Sequence, residues 1–175
     1  MGSLPSVAIV VSRYNASITD RLVEGAREEY ARRGGEAGAV DVFEAPGAFE
    51  LPFLARQAAA TGRYGGVVTL GCIIRGETRH DRYIAQAVAS GIVTASLASR
   101  VPIAFGVLTT ESAKQARARA GGEKGNKGAE AMAALLATIA SSVAIAKGEP
   151  SARIAAWEDK GGGVDRVERV SGVVE

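Results

Sequence analysis

The sequence predicts an α/β fold of three layers, a four-stranded parallel sheet with helices on both faces. Two observations carry that expectation. Four short runs rich in aliphatic and β-branched residues, Val7 to Val11, Val40 to Phe43, Val67 to Ile74 and Ile103 to Leu108, are separated by segments with helical apolar spacing. Such alternation calls for right-handed crossovers, and strands covered on both faces stay apolar along their length instead of alternating.

Val7-Ala8-Ile9-Val10-Val11 opens the sheet. Ser17-Ile18-Thr19-Asp20 offers capping side chains ahead of a helix in which Leu22, Val23, Ala26 and Tyr30 share a face, and Gly34-Gly35 stop it. After the second run, Pro46-Gly47 turns the chain into a helix from about Ala48 to Ala60. Val67 to Ile74, almost wholly apolar, is the third strand, and helical spacing resumes from about His80 to Ser99. The fourth strand leads to a short helix from Ser112 to Ala120, and a long one spans about Asn126 to Lys147.

Length and composition set the outer bounds. A chain of 175 residues with 47% hydrophobic content reads as one domain, its core over about 7–147, with a tail at 149–175 that lacks a core pattern. A net charge of +2 without a basic stripe argues against nucleic acid as a partner. The lone Cys72 cannot form an internal disulfide, and no His/Cys cluster has metal-ligand spacing, so no metal is expected. Met1 to Ser6 matches the myristoylation pattern without a second anchor, and no signal peptide is evident. The uncharged run Ala131 to Ala146 is shorter than a membrane span, so no membrane partner is expected and the location expected is cytoplasmic. That helix is apolar around most of its circumference, which points to packing against another subunit.

In a sheet of this kind the ligand crevice lies beyond the carboxyl ends of the strands. The loops starting near Ser12, Glu44, Arg75 and Thr109 place Arg13-Tyr14-Asn15, Ala45 to Glu50, Arg75 to His80 and Thr110-Glu111 on one rim. His80 is the only histidine, and it sits where a helix begins. Imidazole titrates nearest neutrality, and the free N–H groups of a helix start favour an anion, so this segment reads either as an anion loop with a proton shuttle or as an ordinary capped turn. Tyr14, Asn15 and Phe49 can face a planar ligand or fill and cap; the basic, glycine-rich stretch Arg117 to Glu130 can hold an anion or end a helix in solvent. Cys72 reads as a strand residue.

Taken in order, Ser12-Arg13-Tyr14-Asn15, Ala45-Pro46-Gly47-Ala48-Phe49-Glu50-Leu51-Pro52, Gly71 through His80, Phe105 through Glu111, and Arg119-Ala120-Gly121-Gly122 with Gly125-Asn126-Lys127-Gly128 make the sequence resemble the 6,7-dimethyl-8-ribityllumazine synthases. The resemblance extends from about Val7 to about Lys147. It implies a flavodoxin-like subunit that condenses 5-amino-6-(D-ribitylamino)uracil with 3,4-dihydroxy-2-butanone 4-phosphate in riboflavin biosynthesis, without a cofactor. By the same resemblance His80 transfers protons, and Tyr14 stacks on the pyrimidine. Asn15, Ala48, Phe49, Glu50, Cys72, Ile73 and Ile74 meet the uracil and ribityl chain. Glu77, Thr78 and Arg79 line the phosphate site, completed by Arg119 of a neighbouring subunit, while Phe105 and Lys127 reach across that interface and Glu130 supports His80 or Lys127.

Three positions depart from the family pattern, which often has a small hydroxyl residue at Arg79 and an aromatic then an acid at Asp81-Arg82. The family assembles as a homopentamer, some members building shells of twelve pentamers. The short segment before Val7 makes an added N-terminal strand improbable and favours a free pentamer.

Overall fold

A computed structural model describes residues 3–149. Its central sheet has four parallel strands, β1 (Val7–Ser12), β2 (Val40–Ala45), β3 (Gly66–Ile74) and β4 (Ile103–Thr110), in the order β2-β1-β3-β4. The register pairs Val7 with Val40 on one side and with Gly66 on the other. β1 and β3 are central and buried throughout but for the last residue of β3, which is why they read as unbroken apolar runs.

Helices cover both faces. Helix α1 (Ala16–Arg32) packs Ile18, Leu22, Ala26 and Tyr30, and α5 (Lys127–Lys147) packs Ala131, Met132, Leu135 and Leu136, against Val7, Ile9, Val11, Val68 and Leu70. On the other face α2 (Leu51–Ala60) and α3 (His80–Ser99) bring Leu51, Ala55, Val88 and Ile92 onto Ala8, Val10, Val67 and Val107. The period-two alternation of β1 thus feeds two cores. Helix α5 is long and apolar enough to cross a bilayer by length and composition alone, but its Met132 and Leu135 are sealed against the sheet. It is a layer of the fold, not a span.

Several boundaries differ from those expected. Helix α1 begins at Ala16, directly after Asn15 in the left-handed region at φ 64°, so residues 17–20 lie inside it. Thr19 is fully buried, and its hydroxyl donates to the Ser12 carbonyl at 2.9 Å instead of capping. Residues Ala48–Glu50 form a 3-10 turn before α2. Helix α4 covers only Ala113–Ala118, after which Ala120–Gly122 (β5) and Gly125–Asn126 (β6) make an antiparallel hairpin. Gly121 and Gly125, at φ 88° and 74°, supply the left-handed turns that convert an expected helix end into that hairpin. The Asn126 side chain caps α5 by accepting from the Gly128 and Ala129 N–H groups. The expected tail lies outside the described residues.

Candidate active site

The chain leaves β1 toward β2 on one side and crosses back to β3 on the other, so the gap beyond the carboxyl ends of β1 and β3 is the topological switch point. A cleft of about 460 Å³ opens there, within the range of small-molecule sites. The end of β1 contributes Tyr14 and Asn15. The turn after β2 contributes Gly47, Ala48, Phe49 and Glu50, and β3 contributes Cys72, Ile73 and Ile74. Gly76, Thr78, His80, Asp81 and Ile84 close the far wall from the β3–α3 loop and the start of α3.

Local chemistry explains why these segments meet. Asn15 tolerates its positive φ because its side chain finds a polar partner, donating from Nδ2 to the Cys72 carbonyl at 2.9 Å. The Arg13 N–H donates to the Ala45 carbonyl at 2.8 Å, and the Arg75 N–H to that of Thr110 at 2.9 Å, extending the ladder past the strand ends. Arg13 pairs with Asp20 at 2.8 Å and Arg75 with Glu111 at 2.8 Å, bracing the rim from outside. Burial pushes the Cys72 thiol up to about 11, so it stays protonated and forms an apolar wall. Tyr14 and Phe49, 72% and 63% exposed, stand at the cleft mouth with their rings unburied. Helix α3 starts without a side-chain cap; the Arg82 N–H donates to the Arg79 carbonyl at 3.2 Å, and the uncapped N–H groups ahead of it at His80 and Asp81 suit a ligand.

Other expected residues lie elsewhere. Glu77 and Arg79 are exposed on the same loop without lining the cleft. Phe105, Lys127 and Glu130 line a second cleft of about 370 Å³ between β4 and α5, where the Lys127 ammonium pairs with Glu130. Arg119, at the end of α4, donates to the Gln115 carbonyl at 3.1 Å and lines neither. Among residues that the sequence reading did not assign, Asp81 and Ile84 line the main cleft. Ile84 was detectable, being one helical turn beyond His80 on the same face; nothing in the sequence marked Asp81 as turned inward. Among the described residues no group of His, Cys, Asp or Glu is arranged to hold a metal.

A parallel sheet in this order, with an aromatic-rimmed cleft and an uncapped helix start at its switch point, defines an α/β protein of the flavodoxin-like class. The sequence profile of the 6,7-dimethyl-8-ribityllumazine synthases matches residues 5–142. A 6,7-dimethyl-8-ribityllumazine synthase 1 of Caulobacter vibrioides is 47% identical over 135 residues, covering 77% of this chain and 88% of that one. Synthases of Nautilia profundicola and a Sulfurovum species are 47% and 49% identical over 133 residues each, covering 76% of this chain and 86% and 85% of theirs. The chain belongs to the 6,7-dimethyl-8-ribityllumazine synthase family.

Proposed function

We propose that this chain is a transferase of riboflavin biosynthesis. It condenses 5-amino-6-(D-ribitylamino)uracil with 3,4-dihydroxy-2-butanone 4-phosphate to 6,7-dimethyl-8-ribityllumazine, releasing phosphate and water. The observation that carries the reading is one cleft, at the switch point, where Tyr14 and Phe49 flank the mouth and Thr78, His80 and an uncapped helix start form the wall.

The chemistry asks for three things. Addition of the amine to the ketone and loss of water need a proton shuttle, the role of His80. Departure of phosphate needs donors where negative charge gathers; these are the Thr78 hydroxyl, the first-turn amides of α3 and a guanidinium from Arg119. Ring closure needs both reactants held together, which Tyr14, Asn15, Ala48, Phe49, Glu50 and the β3 wall achieve by enclosing the pyrimidine and its ribityl chain.

The working unit is a homopentamer in the cytoplasm, with each site built from two adjacent chains. Support comes from the separation within one chain of Arg119, Phe105, Lys127 and Glu130 from the cleft they are to complete. Leu97 and Tyr83 on α3, 75% and 73% exposed, further supply apolar surface for an interface.

The test mixes purified protein with the two substrates and follows lumazine fluorescence together with phosphate release. Acceleration over the spontaneous reaction is expected. No acceleration overturns the reading in favour of a protein that only binds a lumazine or flavin. Sedimentation velocity distinguishes a free pentamer, the expected species, from a 60-subunit shell.

A further inference from the structure

Asn126 ties three elements together through one side chain. Its Nδ2 donates to the Arg21 carbonyl of α1 at 2.8 Å, and its Oδ1 accepts from the Gly128 and Ala129 N–H groups that open α5, at 2.8 and 3.3 Å. Gly25 of α1 leaves room for that amide, because a Cβ there would come within 2.3 Å of it. The backbone of Asn126 lies in β6 opposite Ala120 of β5, and the next N–H, that of Lys127, donates to the Arg119 carbonyl at 2.9 Å. The open end of the hairpin, where Arg119 enters it, is thus fastened to α1 and α5.

Arg119 itself follows a helix of six residues, and its guanidinium meets the Gln115 main-chain carbonyl at 3.1 Å and, among the described residues, no carboxylate. Such a side chain can turn to an anion, but only from where its backbone stands. A hairpin with strands of three and two residues does not hold its own place, so the group that fastens it decides where Arg119 starts. Resting on the reaction and the shared site proposed above, we infer that Asn126 is a positioning residue for the phosphate site of the adjacent chain, setting the backbone from which Arg119 extends.

The experiment uses Asn126→Ser, not Asn126→Ala, because a serine hydroxyl still caps α5 yet stops short of the Arg21 carbonyl. The KM for the phosphorylated ketone is expected to rise about fivefold, with kcat and the KM for the aminouracil within about twofold of wild type. Inorganic phosphate titrated into the ligand-free assembly should bind about fivefold more weakly to Asn126→Ser, and no more weakly to Asn126→Ser/Arg119→Ala than to Arg119→Ala alone, since a residue acting through Arg119 adds nothing once the guanidinium is gone. Refolded together with His80→Ala, Asn126→Ser should exceed the mean activity of the two at low ketone; refolded with Arg119→Ala it should give only the mean, because both lesions then fall in the same half of the site. Unchanged phosphate affinity in Asn126→Ser, a further loss in the double variant, or an equal rise in both KM values overturns the inference. Failure of the underlying reading is distinguishable: a wild type that forms no lumazine sinks the proposed activity while phosphate titration still reads the coupling of Asn126 to Arg119, and an Arg119→Ala assembly that binds phosphate like wild type sinks the shared site and the role of Asn126 with it.

Discussion

The side-chain amide of Asn15 donates to the main-chain carbonyl of Cys72 at 2.9 Å, tying the loop after β1 to the end of strand β3 across the switch point. Asn15 also holds φ 64°, where an ordinary side chain is strained by about 1–2 kcal/mol. Asn15→Ala is therefore expected to lose about 2 kcal/mol in urea unfolding, and Asn15→Gly, which relieves the backbone but not the lost bond, about 1 kcal/mol. Equal losses in the two variants would show that the backbone strain is immaterial. In both, the KM for the aminouracil should rise, because the β1 loop is no longer tied to the cleft wall.

At the end of α1, Glu29 is nearly buried and receives the Arg32 guanidinium at 2.8 Å on each oxygen and Arg33 at 2.6 Å. Burial pushes its carboxyl up, but the two arginines outweigh burial and hold it below the usual carboxylate value. A folded-state value below the unfolded one means stability that is present above the unfolded carboxyl range and lost as pH falls through the folded value. Glu29→Gln is expected to cost about 1–2 kcal/mol near neutral pH, with the gap from wild type closing under acid conditions. Urea midpoints taken across that pH range check the sign; a gap that grows toward acid contradicts the assignment.

The four strands and the five helices were legible, if not all of their ends, because period and apolar content are local properties, and Val67 to Ile74 looks like a buried strand in any context. The start of α1 was misread because Thr19, a capping residue by type, is drawn inside by tertiary packing and bonds the end of β1 instead. The β5–β6 hairpin was hidden because Gly121 and Gly125 read equally well as helix terminators. The cleft wall from Tyr14 to His80 was legible from its position at strand ends, whereas the inward turn of Asp81 depends on the direction in which α3 docks, which no local pattern encodes. Arg119, Lys127 and Glu130 were named from resemblance, and a single chain keeps them apart from that cleft.

The first turn of α5 lies against α1 with no room for a side chain. A Cβ on Gly128 would overlap the Leu22 carbonyl, which is backbone and cannot rotate away. Gly128→Ala should therefore force the helices apart and cost about 3 kcal/mol or more, at the upper end of overpacking penalties. Gly76→Ala, where a Cβ meets open space, is the comparison and should lie within about 0.5 kcal/mol of wild type. Similar Tm values for the two variants would refute the close approach.

Because burial raises the Cys72 thiol to about 11, it presents almost no thiolate at neutral pH. Iodoacetamide should label the folded protein slowly at pH 8 and fully once unfolded. Fast native labelling would mean an exposed, activated sulfur, contrary to its 2% exposure.

Shared sites make a sharper prediction than any single substitution. His80→Ala should lower kcat more than it alters KM, and Arg119→Ala should raise the KM for the phosphorylated ketone, where a charge-assisted contact is deleted. If the cleft of one chain is completed by the Arg119 of its neighbour, the two lesions fall in different halves of the site. Unfolding the two variants together and refolding them as mixed rings then regenerates intact sites wherever an Arg119→Ala chain supplies the cleft and a His80→Ala chain the arginine. Random assembly from equal parts puts that pairing at about a quarter of all interfaces. Measured at low phosphorylated ketone, the mixture should exceed the mean of the separately refolded variants. Activity equal to that mean would require His80 and Arg119 to serve the same site from one chain, whereas the Arg119 of a chain lines no part of its own cleft and donates to the Gln115 carbonyl.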